Sequence, residues 1–297
     1  MTDFVARDVI VVEVGPRDGL QNEAQPVPTE RKIAFVNALS AAGLPLIEAT
    51  SFVNPRAVPQ MADASEVMLG IARAPGVRYP VLVPNERGFE RARAAGVDAI
   101  ALFTAATDEF AQANVGTTIA GTFERFTPVI ARAKEEGVSV RGYVSVAFGC
   151  PYAGPVSASA VAAVTGQLLA AGCDEICLAD TIGVGTPAEV NAVLDAVSAF
   201  LPLSDLALHF HDTTGNALPN VEAALARGVR TFDSAAGGLG GCPFAPGAPG
   251  NLATESLLAF LQQAGLHTGV DLEAVRHATN LLRGYVPRLG PSLASPR

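Results

Sequence analysis

Short β-branched runs alternate along this chain with Ala-rich stretches of helix length, and many of those stretches end in a glycine. The strand candidates are 9–14 (VIVVEV), 46–51 (LIEATS), 78–83 (RYPVLV), 98–104 (DAIALFT), 140–147 (VRGYVSVA), 175–180 (EICLAD), 206–211 (LALHFH) and 230–235 (RTFDSA). Between them lie amphipathic stretches such as 29–42 before Gly43, 119–136 before Gly137, 158–171 before Gly172 and 217–227 before Gly228. A periodic run stopped by glycine just past its end is the signature of a helix C-terminus. Eight such units in about 250 residues fit a closed (β/α)8 barrel with parallel, near-continuously apolar strands. An open doubly wound sheet alternates in the same way. The first turn, however, reads Gly15-Pro16-Arg17-Asp18-Gly19 rather than the glycine fingerprint of a dinucleotide fold. The expectation is an α/β chain forming a TIM barrel, one catalytic domain over residues 1–297. The barrel would span roughly 9–265, with a short C-terminal helical extension and tail over 270–297.

Composition narrows the function. Nearly half of the 297 residues are hydrophobic, yet none of them form the run of about 18 that a membrane span needs. The start, MTDFVARDVI, carries Asp3 and Asp8 and lacks the layout of a signal peptide, so a soluble, cytoplasmic protein is expected. A formal charge of −9 gives no attraction for phosphate backbones, which argues against nucleic acid as a partner. Any anionic ligand would need a local basic patch. The spacing of Cys150, Cys173, Cys177 and Cys242 matches no zinc pattern, and the first three read as small buried hydrophobes.

Chemistry in a barrel gathers at the C-terminal strand ends. There the chain carries Arg17 and Asp18 after the first strand, Glu48 in the second, Asp180-Thr181 at the sixth and His209-Phe210-His211-Asp212 at the seventh. Beyond the eighth come Gly237-Gly238-Leu239-Gly240-Gly241-Cys242-Pro243 and then Asn251. Residues i and i+2 of a strand share a face, so both imidazoles aim at one point. Alone, such a pair fits a ligand site and two satisfied histidines equally well. With Asp18 and Asn251 it becomes a mixed N/O set suited to Mg2+ or Mn2+. Asp212 could orient a ligand from behind or cap the helix that follows. Arg17 could stabilise an enolate oxygen, or pair with Glu48 or Asp180. Cys242, in a glycine-dense loop, could pass a proton to a carbanion or form a covalent adduct.

The runs Arg17-Asp18-Gly19-Leu20-Gln21-Asn22-Glu23, Ile47-Glu48-Ala49-Thr50-Ser51-Phe52-Val53, Arg141-Gly142-Tyr143-Val144-Ser145, Gly149-Cys150-Pro151-Tyr152, Asp180-Thr181-Ile182-Gly183-Val184-Gly185-Thr186-Pro187 and Gly238-Leu239-Gly240-Gly241-Cys242-Pro243-Phe244 resemble the 3-hydroxy-3-methylglutaryl-CoA lyases. The resemblance extends over residues 9–283, and the cysteine loop is its most specific part. It implies an acyl-CoA substrate cleaved to acetyl-CoA and acetoacetate, as in leucine breakdown and ketone-body formation, by a homodimer. It also implies a Mg2+ or Mn2+ ion held by Asp18, His209, His211 and Asn251. Arg17 would stabilise the enolate, Cys242 would protonate it, and Glu48 would position Arg17 or the substrate. The base would be Asp180 or His211, and Gln21, Tyr143 and Thr181 would join Arg17 in binding substrate. Two departures stand out. Ala235-Ala236-Gly237 replaces the family's Ser-Val-Ala, which suggests a wider acyl pocket for a bulkier 3-hydroxy-3-alkylglutaryl-CoA. Gln112-Ala113 replaces a Lys pair before Asn114. A condensing synthase or aldolase of the same superfamily is the alternative, and the cysteine loop favours the lyase.

Overall fold

The computed structural model describes residues 7–241 and 250–290, so Cys242 lies outside the described residues. Its strands are β1 Ile10–Glu13, β2 Leu46–Ile47, β3 Thr50–Ser51, β4 Val81–Leu82, β5 Ala99–Ala105, β6 Ser139–Ser145, β7 Glu175–Asp180, β8 Leu206–Phe210 and β9 Thr231–Ser234. They pair in parallel in the order β2-β1-β9-β8-β7-β6-β5-β4-β3. The two ends of that order, β2 and β3, are halves of the single strand expected over 46–51. At the interruption the Glu48 amide bonds Glu13 O at 2.8 Å, and the Ala49 amide bonds Pro80 O at 3.0 Å. The interrupted strand therefore pairs with β1 on one side and β4 on the other, and the sheet closes as an eight-stranded barrel. The run 78–83 shortens to Val81–Leu82, because Pro80 has no N–H to give the ladder.

Alternation along each strand separates two environments. Inward, Leu82, Ala101, Tyr143, Cys177 and Ala207 form one small cluster. The short side chains at 101, 177 and 207 leave the volume that the Tyr143 ring occupies. Outward, a continuous shell of Val, Leu, Ile and Phe lies between barrel and helices, with Phe35, Phe52, Phe89, Phe210 and Phe232 fully buried. Burial on this scale is the main stabilising term of such a fold.

The helices end as the glycines predict: Thr29–Ala41, Ile119–Glu135, Ala158–Ala171 and Ala217–Ala226 are followed by Gly43, Gly137, Gly172 and Gly228, all at positive φ. Helix Pro187–Val197 begins with a reciprocal capping box between Thr186 and Glu189. The expected last helix spans Leu272–Asn280 and packs against Thr29–Ala41. Glu255 accepts from the Gly237 amide at 2.8 Å and from Thr279 Oγ1 at 2.8 Å. Arg288 donates to Gly238 O at 2.6 Å and Gly240 O at 3.0 Å, and its Nε lies 3.3 Å from Glu23. The C-terminal extension thus holds the start of the cysteine loop. Cys150, Cys173 and Cys177 are buried and unbridged, and burial pushes the Cys173 thiol up to about 12. Among the described residues no helix is long and apolar enough to cross a membrane.

Candidate active site

A cavity of about 290 Å³ opens at the C-terminal end of the barrel, bordered by Arg17, Asp18, Gln21, Tyr143, Thr181, His209 and His211 among others. Seven of the residues singled out from the sequence thus meet around one space. Arg17 and Asp18 owe their position to a single tight turn, Gly15–Gly19, in which the amides of Arg17, Asp18 and Gly19 all point at Val14 O. His209 and His211 lie on the cavity side of β8 and its end, while Phe210 faces the outer shell against Phe148 with ring centroids 5.9 Å apart.

One ligand atom each of Asp18, His209 and His211 lies within 4.8 Å of the others. Asn251 lies beside these residues, paired with His211 by an isolated antiparallel bridge. Its Nδ2 donates to Asp18 Oδ2 at 2.8 Å and Leu239 O at 2.9 Å. Both neighbours only accept, which fixes the amide orientation. Asn251 Oδ1 and His211 Nδ1 are buried with no hydrogen-bond partner among the described residues. Buried polar atoms rarely stay unpaired, and two beside a carboxylate are what a bound cation would satisfy.

The local charges agree. Burial raises the Asp18 carboxyl, but Arg17 and then the two histidines outweigh it and hold it well below the usual carboxylate range. Burial, reinforced by His209 nearby, pushes His211 down to about 4, so its ring is neutral at pH 7 and its lone pair is free.

Beneath the cluster runs a network that ties five strands together. Arg17 grips Glu48 with two hydrogen bonds, Nε to Oε1 at 2.9 Å and Nη2 to Oε2 at 3.1 Å, and reaches Asp18 Oδ1 at 2.5 Å. The Tyr143 hydroxyl stands 2.9 Å from both Glu48 Oε2 and Asp233 Oδ2. Its ring lies between two guanidinium groups, Arg17 at 5.8 Å and Arg141 at 4.9 Å. Asp233 takes Arg141 Nη2 at 2.6 Å and His209 Nδ1 at 3.2 Å. A proton on His209 Nδ1, donated to Asp233, leaves Nε2 as the lone-pair nitrogen. Asp233 was passed over in the sequence, although it stands mid-strand in a run with inward alternation. A carboxylate there is costly unless paired, and that was the available signal.

Other expected residues lie apart. Asp180 sits on the side of β7 opposite Ala179 and Thr181, which face the cavity. Its oxygens accept from the Val184 amide at 3.1 Å and the Gly185 amide at 2.9 Å, and burial raises it to about 6. Asp212 accepts from the Ala217 amide at 3.1 Å, so it caps a helix. Ala235 and Ala236 are fully buried, and neither they nor Gly237 borders the cavity. A Cβ on Gly237 would stand 2.7 Å from Thr279 Cγ2 and 3.0 Å from Leu289 Cδ2. Gly237 thus makes room for the C-terminal extension, and none of the three residues lines the cavity. Glu13, also unforeseen, is buried outside the barrel, bonded by the Gly15 and Ala236 amides and by Thr254 Oγ1.

Comparison with known proteins agrees with this geometry. The HMGL-like family model matches residues 8–282. The mitochondrial hydroxymethylglutaryl-CoA lyase of Bos taurus is 52% identical over 272 residues, covering 92% of this chain and 84% of that one. The crystal structure of the Brucella melitensis HMG-CoA lyase superposes with a TM-score of 0.92 at 53% identity, over 95% of this chain and 99% of that one. An HMG-CoA lyase from A. baumannii, solved with coenzyme A and 3-methylmalate, gives 0.90 at 39% identity over 99% and 95%. The closed barrel, the Asp-His-His cluster and the match along nearly the whole chain lead to one assignment: this protein belongs to the HMGL-like family of carbon–carbon lyases, alongside the hydroxymethylglutaryl-CoA lyases.

Proposed function

We propose that the chain cleaves 3-hydroxy-3-methylglutaryl-CoA to acetyl-CoA and acetoacetate, with Mg2+ or Mn2+ held by Asp18, His209, His211 and Asn251. The observation that carries this reading is the Asp18–His209–His211 cluster with the unpaired Asn251 Oδ1 beside it, under a guanidinium at the cavity wall. A divalent cation there supplies Lewis-acid polarisation of substrate oxygens. The chain's own residues supply the rest. Arg17, held from behind by Glu48, offers charge-assisted N–H groups to the thioester oxygen as it becomes an enolate oxygen. Cleavage needs a base for the tertiary hydroxyl proton; the C2–C3 electron pair then passes to the thioester, and acetoacetate leaves. The two expected bases are His211, which borders the cavity but whose lone pair the cation would take, and Asp180, whose carboxyl burial raises to about 6 but which is tied to the loop amides. Cys242 then protonates the enolate carbon to give acetyl-CoA, while Gln21, Tyr143 and Thr181 confine the acyl group.

The test is release of acetoacetate from 3-hydroxy-3-methylglutaryl-CoA, with metal and then with chelator. Release that is lost on chelation supports the reading, and Cys242→Ser should slow it by about a hundredfold or more. No release under any metal would overturn it. A panel of longer 3-alkyl substrates should show kcat/KM falling with chain length, because nothing at 235–237 enlarges the cavity. Sedimentation tests the homodimer, which rests on the family resemblance.

A further inference from the structure

The walls of the catalytic cavity differ in chemistry. Arg17, Asp18, His209 and His211 stand at the ends of β1 and β8, while β4 and β5, across the barrel, supply Leu82 and Phe103. Phe110 and Ala113, on the helix after β5, continue that apolar wall. A substrate whose oxygens meet the polar cluster turns its 3-alkyl group toward the apolar wall, where removal from water is favourable.

Local chemistry fixes that helix, Asp108–Val115, in place. Thr107 caps its start, with Oγ1 accepting from the Phe110 amide at 3.3 Å, and Gly116 stops it at a φ of 66°. Thr107 Oγ1 also lies 3.2 Å from Cys150 Sγ, and the Phe110 ring packs on Tyr152 with centroids 6.2 Å apart. The helix is therefore anchored to the loop after β6, and Phe110 is buried. Phe110, Ala113 and Asn114, at helical spacing, turn one face toward the cavity. Behind that face is a second space of about 160 Å³, spread through gaps too narrow for a water molecule. Ala105, Ala111, Val115 and Thr122 line it, while Phe103, Phe110 and Asn114 border both this space and the cavity. Those three side chains form the partition between the two. Phe103 is held by the Leu82–Tyr143 cluster of the barrel interior, and Asn114 is polar. The Phe110 ring is the part of the partition that an apolar chain would have to displace.

We propose that Phe110 sets the upper size of the 3-alkyl group that the cavity accepts, a specificity role that rests on the lyase reading above. A close-packed interior leaves the ring no place to retreat, so a long substituent meets it as a wall. Without the ring, the cavity and the gaps behind it join into one apolar recess between the helix and the end of β5.

The experiment measures acetyl-CoA formation from the CoA thioesters of 3-hydroxy-3-methylglutarate and 3-hydroxy-3-butylglutarate. The wild type should prefer the methyl compound. In Phe110→Ala the butyl-to-methyl ratio of kcat/KM should rise about tenfold or more. Phe110→Leu, which keeps most of the packing, should shift the ratio less and in the same direction. Ala111→Val supplies a second arm, because Ala111 borders the space behind the partition and not the cavity. Added to Phe110→Ala, it should bring the ratio most of the way back, which a general loosening of the fold would not do. A ratio within about threefold of wild type in both Phe110 variants overturns the specificity role, as does a gain that Ala111→Val leaves intact. Acetyl-CoA formed from the methyl compound with an unmoved ratio overturns that role alone. If neither the wild type nor any variant forms acetyl-CoA from either thioester, the lyase reading fails and the role falls with it.

Discussion

Asp233→Asn tests the network beneath the cluster. Asp233 is fully buried and takes Arg141 on one oxygen and both Tyr143 and His209 on the other. Asparagine keeps the shape but has one acceptor oxygen. If that oxygen stays with Arg141, the new N–H2 faces His209 Nδ1 and can only donate. His209 must then carry its proton on Nε2, the nitrogen that would otherwise offer a lone pair. Loss of a partner that orients a ligating histidine typically costs 10–100-fold in metal affinity, so Mn2+ binding should weaken by about that factor. Arg141 keeps a hydrogen bond but loses its buried counter-charge. Breaking a buried pair outright costs about 3–5 kcal/mol, and the retained bond puts the expected loss near the lower end, about 3 kcal/mol. Calorimetric titration with Mn2+ measures the first quantity and urea unfolding the second. Tyr143→Phe, which removes one donor from Asp233 and leaves the His209 bond, should change Mn2+ affinity far less. A folded Asp233→Asn protein that binds Mn2+ within about threefold of wild type would refute the idea that Asp233 sets the His209 tautomer.

Asn251→Ala removes a buried, unpaired oxygen and the amide that holds Asp18; Mn2+ affinity measured by calorimetry should fall about tenfold or more. Glu13, whose proton is held by burial up to about 8 against an ordinary 4.5, contributes stability that is complete below pH 4.5 and is lost as pH rises through 8. The slope is about 1.4 kcal/mol per pH unit. Glu13→Gln mimics the protonated acid, so in urea unfolding its stability relative to wild type should rise by about 2–3 kcal/mol from pH 6 to pH 8; parallel curves would contradict this. Gly237→Ala sets a Cβ against Thr279 and Leu289 at a φ of 66°, and thermal unfolding should show a loss of about 1–3 kcal/mol.

The barrel and its metal-type cluster were legible because each depends on short-range periodicity. Glycine stops mark helix ends one at a time, and the spacing of His209 and His211 places both rings on one face without knowledge of the rest of the fold. What stayed hidden depends on register between strands distant in sequence. Asp233 matters because β8 and β9 align His209 directly with it, and no local pattern reports that pairing. The break between β2 and β3 is hidden for the same reason, since there successive amides bond to neighbours on opposite sides, Glu13 and Pro80. Asp180 is the converse case. Its position at a strand end suggests a part in the chemistry, whereas the alternation of β7 turns its carboxyl toward the loop amides. Ala235-Ala236-Gly237 is ambiguous in the same manner, because small residues make room for whatever packs there, and at Gly237 that is the C-terminal extension.

That extension has a kinetic consequence. Arg288 joins the carbonyls of Gly238 and Gly240 to Glu23, so three segments far apart in the chain share one side chain at the rim. Amide protons near residues 22–23, 238–241 and 284–290 should therefore exchange with solvent at a common opening rate rather than three separate ones. Arg288→Ala should then raise all three exchange rates together, although Arg288 borders no part of the cavity.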